Sequence, residues 1–314
     1  LKKPLIVIFF FIAVIASLLV GVGELRISDV FIGGTRSHFN FLNSRLPRTL
    51  SLVITGFGLS IAGLVFQQIS NNKFVSPTTS GSISGAQLGL AIAVVFMGNA
   101  STGMKMLLSF ACSLLATFLF MAIMNRLKYR SLIYVPLVGI MLGSIMTSFS
   151  TFLAYTFDFL QTLNSWFVGN LSLVITGRYE LLYIVIPATL LIFIYAKQFT
   201  IVGLGEDFSI NVGLNYDYFV TIGLVLIAII SASTVIIVGN MPFLGLIIPN
   251  IVSMMFGDNL EKNVFTVGIM GALFLIVCDI LGRVIAFPYE ISIGLVIGVL
   301  GTLIFLVMIF LGRK

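Results

Sequence analysis

The sequence predicts an all-α polytopic membrane protein of about ten transmembrane helices, and two observations carry that prediction. Of 314 residues, 59% are hydrophobic and only 9% charged, with a mean hydropathy of +1.17, far from the composition of soluble globular chains. The apolar residues also fall into runs near the roughly 20 residues a helix needs to cross the hydrocarbon core. Because the bilayer offers no water to backbone N–H and C=O groups, such runs are expected to be helical. Ten runs qualify, at 4–23, 47–68, 81–98, 103–125, 132–157, 179–199, 216–238, 243–256, 264–282 and 290–311, the third and eighth being the shortest. They are read as one transmembrane domain over residues 1–314.

The first run follows Lys2 and Lys3 and shows no convincing small-residue cleavage site, so it is expected to remain as the first membrane helix. The second opens on Arg45-Leu46-Pro47-Arg48-Thr49. Ser44 is expected to cap it, and Pro47 falls in the first turn, where its missing donor costs nothing. Gly56, Gly58 and Gly63 follow, small residues that let helices approach closely. Residues 71–89, rich in Ser, Thr, Gly and Pro, lead into the short third run either as a capped helix start or as a gate segment. The fifth run carries Ser144, Thr147, Ser148, Ser150 and Thr151, which suit helix packing or a pore lining equally.

After it, residues 164–177 are too short and polar to cross and are expected as an interfacial or re-entrant helix, with Trp166 at headgroup level. The longest polar segment, 200–216, interleaves Phe208, Ile210, Val212 and Leu214 with polar residues. It is either a solvated loop or a helical turn or two lying against a partner. Between Gly239 and Asn250 two prolines and two glycines break the apolar pattern. Each proline removes a backbone donor, so this stretch is expected to turn the seventh run into a short eighth one. Its side chains are nearly all apolar, Asn240 and Asn250 excepted, so it is read as a joint rather than a solute site.

Seven of the eight lysines, with Arg126, Arg130 and Arg313, fall on one side if both termini are cytoplasmic, which obeys the positive-inside rule. The opposite side then holds Arg26, Arg36, Arg45, Arg48, Arg178 and Arg283. These serve either as forks for the carboxylates of an acidic partner or as local partners, as Arg283 is placed to be for Asp279 one turn earlier. Cys112 and Cys278 sit in apolar runs with no metal or disulfide spacing. No nucleophile lies beside a base, His38 is alone in an outer loop, and no GxxxxGK[ST] phosphate loop occurs. The chain is therefore expected to be no enzyme and to need no cofactor, metal or nucleic acid. Any energy from ATP must enter through another subunit.

Six motifs occur in order: Arg45-Leu-Pro-Arg48; Ser76-Pro77 with Gly81 and Gly85-Ala-Gln-Leu-Gly89; Leu204-Gly205-Glu206 with Gly213; Pro242-Phe-Leu-Gly-Leu-Ile-Ile-Pro249; Asp279-Ile-Leu-Gly-Arg283; and Pro288-Tyr-Glu-Ile-Ser-Ile-Gly294. Together they resemble the permease subunit of iron-siderophore ABC importers, the family that includes the vitamin B12 permease, over essentially the whole chain. Many members carry Asn-Pro where this chain has Asn72-Lys73, and Pro-His followed by Arg where it has Pro249-Asn250 and Ser253. These forms look most like the branch that imports catecholate-type ferric siderophores.

The resemblance implies a multi-pass permease of the bacterial cell membrane that pairs with a second permease, identical or related, over two ABC ATPase subunits. It would receive a ferric siderophore from an extracytoplasmic binding protein. It further implies that Arg45, Arg48 and Arg283 dock that protein, and that Asn72, Phe74, Ser131 and Leu132 form a cytoplasmic gate. The segment 200–216 would couple to the ATPase through Glu206, Phe208, Gly213 and Leu214. Competing readings are an ion-gradient-driven secondary transporter or channel, for which the irregular elements at 71–89 and 239–250 speak, and an ABC importer of another iron chelate, haem or cobalamin.

Overall fold

The computed structural model describes residues 3–21, 35–98, 101–126, 134–169, 171, 174 and 176–311, and all its regular elements among these are helical. Five helices are long and apolar enough to cross a membrane: Ser37–Ile69, Gly103–Met124, Leu137–Thr156, Tyr216–Ile237 and Leu260–Val284. A sixth run is bent by 65° between Tyr179–Ile194 and Ala196–Val202. The remaining four expected runs are shorter apolar helices. Among the described residues, five or six helices thus meet the crossing criterion by length and composition, and a helix lies in each of the ten runs.

We label the helices α1 (Lys3–Leu19), α2 (Arg36–Asn40), α3 (Leu46–Ile69), α4 (Ser82–Met97), α5 (Thr102–Arg126), α6 (Tyr134–Thr156) and α7 (Leu160–Phe167). They continue as α8 (Val185–Ile194), α9 (Ala196–Val202), α10 (Glu206–Asn211), α11 (Tyr216–Ile237), α12 (Leu244–Phe256), α13 (Leu260–Val284) and α14 (Ile293–Leu311). His38 lies in α2, whose first turn is capped by the Thr35 hydroxyl, rather than in a loop. A single π turn, Phe41–Arg45, joins α2 to α3. Pro47 explains it, because a proline cannot donate to the carbonyl four residues back and its ring pushes that turn open. Ser44 consequently sits inside a continuous helix and caps nothing, contrary to expectation.

Helix α3 is the axis of the molecule, with Leu52, Ile61, Val65 and Phe66 fully buried. It packs against α13, α11 and α12. Small residues set the closest crossings: a Cβ on Gly56 would lie 2.6 Å from the Ala272 Cα, and a Cβ on Gly63 would overlap the Gly245 carbonyl oxygen. Gly245 O is also the carbonyl that Pro249, inside α12, leaves without its intrahelical donor. It faces the Gly63 backbone and occupies the place where a side chain at that position would start. A second group, α4, α5 and α6, packs alongside with backbone against Gly85 and Gly89.

Residues 70–81 connect α3 to α4 and expose Asn71 and Lys73, while Ser76 and Ser80, with Ser82 at the start of α4, are fully buried. Hydroxyls satisfy one another there, with Ser80 Oγ 3.0 Å from Ser82 Oγ and Ser82 Oγ 2.7 Å from Thr117 Oγ1. On α6, Ser144, Ser150 and Thr151 donate to carbonyls of their own preceding turn at 2.8, 2.9 and 2.9 Å. These three hydroxyls are thus engaged with their own helix. Of the segment 164–177, expected as a short helix, only 164–167 is α-helical, as the end of α7, which starts earlier at Leu160; the Trp166 side chain lies outside the described residues.

The joint after α11 forms as expected. The helix stops at Ile237, Gly239 takes φ +93° and Phe243 φ +63°, and α12 starts at Leu244. A phenylalanine in the left-handed region is uncommon. Its ring is stacked on Phe305 of α14, 6.5 Å between centroids, and lies against Gly301. Asn250 does not offer its amide nitrogen to a solute, since Nδ2 donates to the carbonyls of Leu246 and Lys73 at 2.7 and 2.8 Å.

Candidate functional site

Two polar sites lie at opposite ends of the antiparallel pair α3 and α13. At the first, Asp279 is the hub. Its side chain is 1% exposed and takes Arg48 Nη2 at 2.7 Å on one oxygen and Arg283 Nη2 at 2.6 Å on the other. Arg48 also reaches Glu290 through Nη1 at 2.8 and 3.1 Å. The local pairing of Asp279 with Arg283 is therefore present, while the sharing of Asp279 with Arg48, 231 residues away, was not visible in helical spacing.

The other two arginine contacts hold α1. Its last carbonyls have no intrahelical partner, and guanidinium groups supply one. Arg45 Nη1 donates to Leu18 O and Leu19 O at 3.1 and 2.7 Å, and Arg283 Nη1 to Ser17 O at 3.1 Å and to Val20 O. Positive charge at a helix C-terminus is also favoured by the macrodipole. Ser17 Oγ adds contacts to Arg283 and Thr49 at 3.0 and 3.1 Å. The arginines assigned to docking thus differ: Arg45 and Arg283 are buried in this anchor, and Arg48 stands between Asp279 and Glu290. All three line an open cleft of about 270 Å³ with Asn40, Ser44 and Glu290. Arg26 and the Arg36 side chain lie outside the described residues.

The second site is a cavity of about 770 Å³ bounded by the end of α3, the 71–74 turn, α12 and the start of α13. Asn72 is buried and accepts the Phe74 N–H at 2.8 Å on Oδ1, a side-chain-closed turn. The Phe74 ring meets Phe305 edge-on at 6.1 Å, which joins it through Phe305 to Phe243 of the joint. Lys73 spans from this turn to Asp258, with Nζ 2.9 Å from both carboxylate oxygens and 3.4 Å from Ser253 Oγ. Lys73 therefore touches both Asn250, which donates Nδ2 to its carbonyl at 2.8 Å, and Ser253. The sequence singled out these three positions but did not show their meeting. Ser131 and Leu132 lie outside the described residues.

Burial pushes the Asp258 carboxyl up, but bonds from Ser253 and Lys73 outweigh it and hold the group below its ordinary value of 3.8. A depressed value means that the pair is intact above the ordinary carboxylate range and is lost only as pH falls through the lowered value. Both partners are more than half exposed, so Asp258→Asn should cost less than about 1 kcal/mol. Thermal melts of the variant and the parent should nearly coincide at neutral pH and at acid pH below the carboxylate range.

Gly203 and Leu204 on the cavity wall lead directly to α10. Gly205 at φ +106° and Gly213 at φ +82° bracket this helix, with nothing near the Cβ either lacks, so conformation and not space requires glycine. Ser209 turns inward and donates to Gly205 O at 2.7 Å, while Phe208, Ile210 and Val212 remain exposed. Glu206 opens the helix and Leu214 packs on the core behind it. The segment thus holds a short helix with apolar side chains outward rather than a plain loop.

The sequence model of the FecCD transport family matches residues 8–311. The chain belongs to the FecCD transport family. Among relatives of this family, the chain is 47% identical over 314 residues to the petrobactin import system permease protein YclN of Bacillus subtilis (strain 168), covering 100% of this chain and 99% of that one. It is 34% identical over 308 residues to the ferric-anguibactin transport system permease protein FatD of Vibrio anguillarum, with 98% of each covered. A solved chain described as an inward-facing conformation of a metal-chelate type ABC transporter superposes with a TM-score of 0.81 at 22% identity, over 98% of this chain and 99% of that one. This FecCD-family chain is a multi-pass membrane permease subunit of the ABC transporter type.

Proposed function

We propose that this chain is the permease of an ATP-driven importer for ferric siderophores of the catecholate type. The full-length identity of 47% to a petrobactin import permease carries the reading. The chain acts as one transmembrane permease domain that forms the translocation path with a second permease. ATP is hydrolysed by partner ATPase subunits, and an extracytoplasmic binding protein delivers the cargo. Both termini face the cytoplasm, so the arginine cleft opens outside and the 770 Å³ cavity and α10 lie inside.

In this reading Arg48 is the arginine that meets a carboxylate of the binding protein, with Arg45 and Arg283 shaping the cleft from behind. Asn72 and Phe74, with Ser131 and Leu132, form the inner gate, and Glu206, Phe208, Gly213 and Leu214 belong to the coupling element. The exposed apolar side chains of α10 support that role, since a short amphipathic helix seats in a groove of its partner. Phe208→Asp combined with Ile210→Asp should release the co-purifying ATPase while the permease itself still reaches the membrane. Retention of the ATPase by the double variant would contradict the assignment.

A further inference from the structure

Three guanidinium groups at the arginine cleft face two carboxylates, and the two carboxylates are not held alike. Asp279 is sealed between Arg48 and Arg283 with 1% of its side chain exposed. Glu290 is 26% exposed, lies on the cleft wall and bonds the one amino group of Arg48, Nη1, that Asp279 leaves to it. A carboxylate arriving from another protein needs this same amino group and finds it holding a carboxylate already.

We propose that Glu290 is an internal stand-in for the docking carboxylate: it satisfies Arg48 in the undocked permease and swings aside when the carboxylate of the binding protein enters the cleft. The proposal rests on the reading of Arg48 as the docking arginine. A guanidinium that is largely withdrawn from water is costly to leave unpaired. Trading one carboxylate for another keeps Arg48 paired throughout, so docking and release both proceed without baring its guanidinium, and the released Glu290 carboxylate lies on the open cleft wall. Among the described residues three guanidinium groups stand against two carboxylates, a balance that draws an acidic partner toward the cleft. Glu290 thereby sets how tightly the binding protein is held.

The test uses the complete complex with its ATPase in lipid nanodiscs, titrated with the binding protein of the same import system. Glu290→Gln keeps the shape of the side chain, and it should tighten binding by about tenfold, the order expected for relief of competition at a close charge pair. Arg48→Gln should weaken binding, and in that background Glu290→Gln should change nothing. Unchanged or weaker binding for Glu290→Gln, with Arg48→Gln still weakened, would overturn the stand-in and leave the docking role of Arg48 in place. Equal tightening in both backgrounds would also overturn it, since that is the effect of removing any negative charge. If Arg48→Gln binds like the parent, the docking reading itself fails at this cleft.

Discussion

Replacing Asp279 with alanine should disassemble the arginine cluster and with it the seat of the first helix. The carboxylate accepts from Arg48 and forms an ion pair with Arg283, and its removal sets two guanidinium groups side by side with Glu290 as the carboxylate left beside them among the described residues. Breaking a buried ion pair from one side costs about 3–5 kcal/mol, because the partner stays buried without compensation. Arg283 also carries Ser17 O and Val20 O of α1, so its displacement uncaps that helix. The expected outcome is a sharp fall in the folded, monodisperse fraction of detergent-solubilised protein, measured by fluorescence-detected size exclusion. Glu290→Gln, which touches the exposed side of the same cluster, should leave that fraction near the parental value. An Asp279→Ala variant as stable as the parent would show that the cluster is not a structural keystone. By the same logic Arg45→Glu and Arg283→Glu are poor probes of docking, since each removes a donor to the end of α1.

Gly63 should tolerate no side chain. The Gly245 carbonyl, freed by Pro249, occupies the place where a Cβ would stand, and both partners are backbone held by α3 and α12. Inserting volume into a packed contact costs about 1–3 kcal/mol even where side chains yield, and backbone yields less. Gly63→Ala should therefore lower the midpoint of thermal unfolding measurably, and Gly63→Val should abolish accumulation of the folded permease. Gly103 is the control: it lies in α5 with open space around it, the nearest atom being Ser101 Oγ at 3.9 Å. There alanine should be neutral or gain up to about 1 kcal/mol from helix propensity. Equal effects at the two positions would contradict the close crossing of α3 and α12.

The helical runs were legible because hydropathy reports on burial in lipid directly, and the break between α11 and α12 because proline and glycine act locally on the backbone. The turn around α10 was legible in outline for the same reason, through Gly205 and Gly213. What spacing could not supply was the partner of each charge. Arg48 and Asp279 are 231 residues apart, and Lys73 meets Asp258 across 185. Only the antiparallel crossing of α3 and α13 brings these pairs together. Length and composition do not fix the number of spans either, since four apolar helices among the described residues fall short of the crossing criterion. The misplaced cap at Ser44 came from treating Pro47 as a helix start, when an upstream helix runs through it by way of a π turn.

The central claim, that this permease imports a ferric catecholate siderophore at the expense of ATP, is tested most directly by uptake into proteoliposomes. These would hold the permease pair and its ATPase, with binding protein outside and ATP trapped inside. Radio-iron carried by the catecholate siderophore should accumulate only with hydrolysable ATP and the binding protein present, and collapse of ion gradients should leave the rate unchanged. Uptake that proceeds without the ATPase and disappears with an ion gradient would contradict the account and favour a secondary transporter.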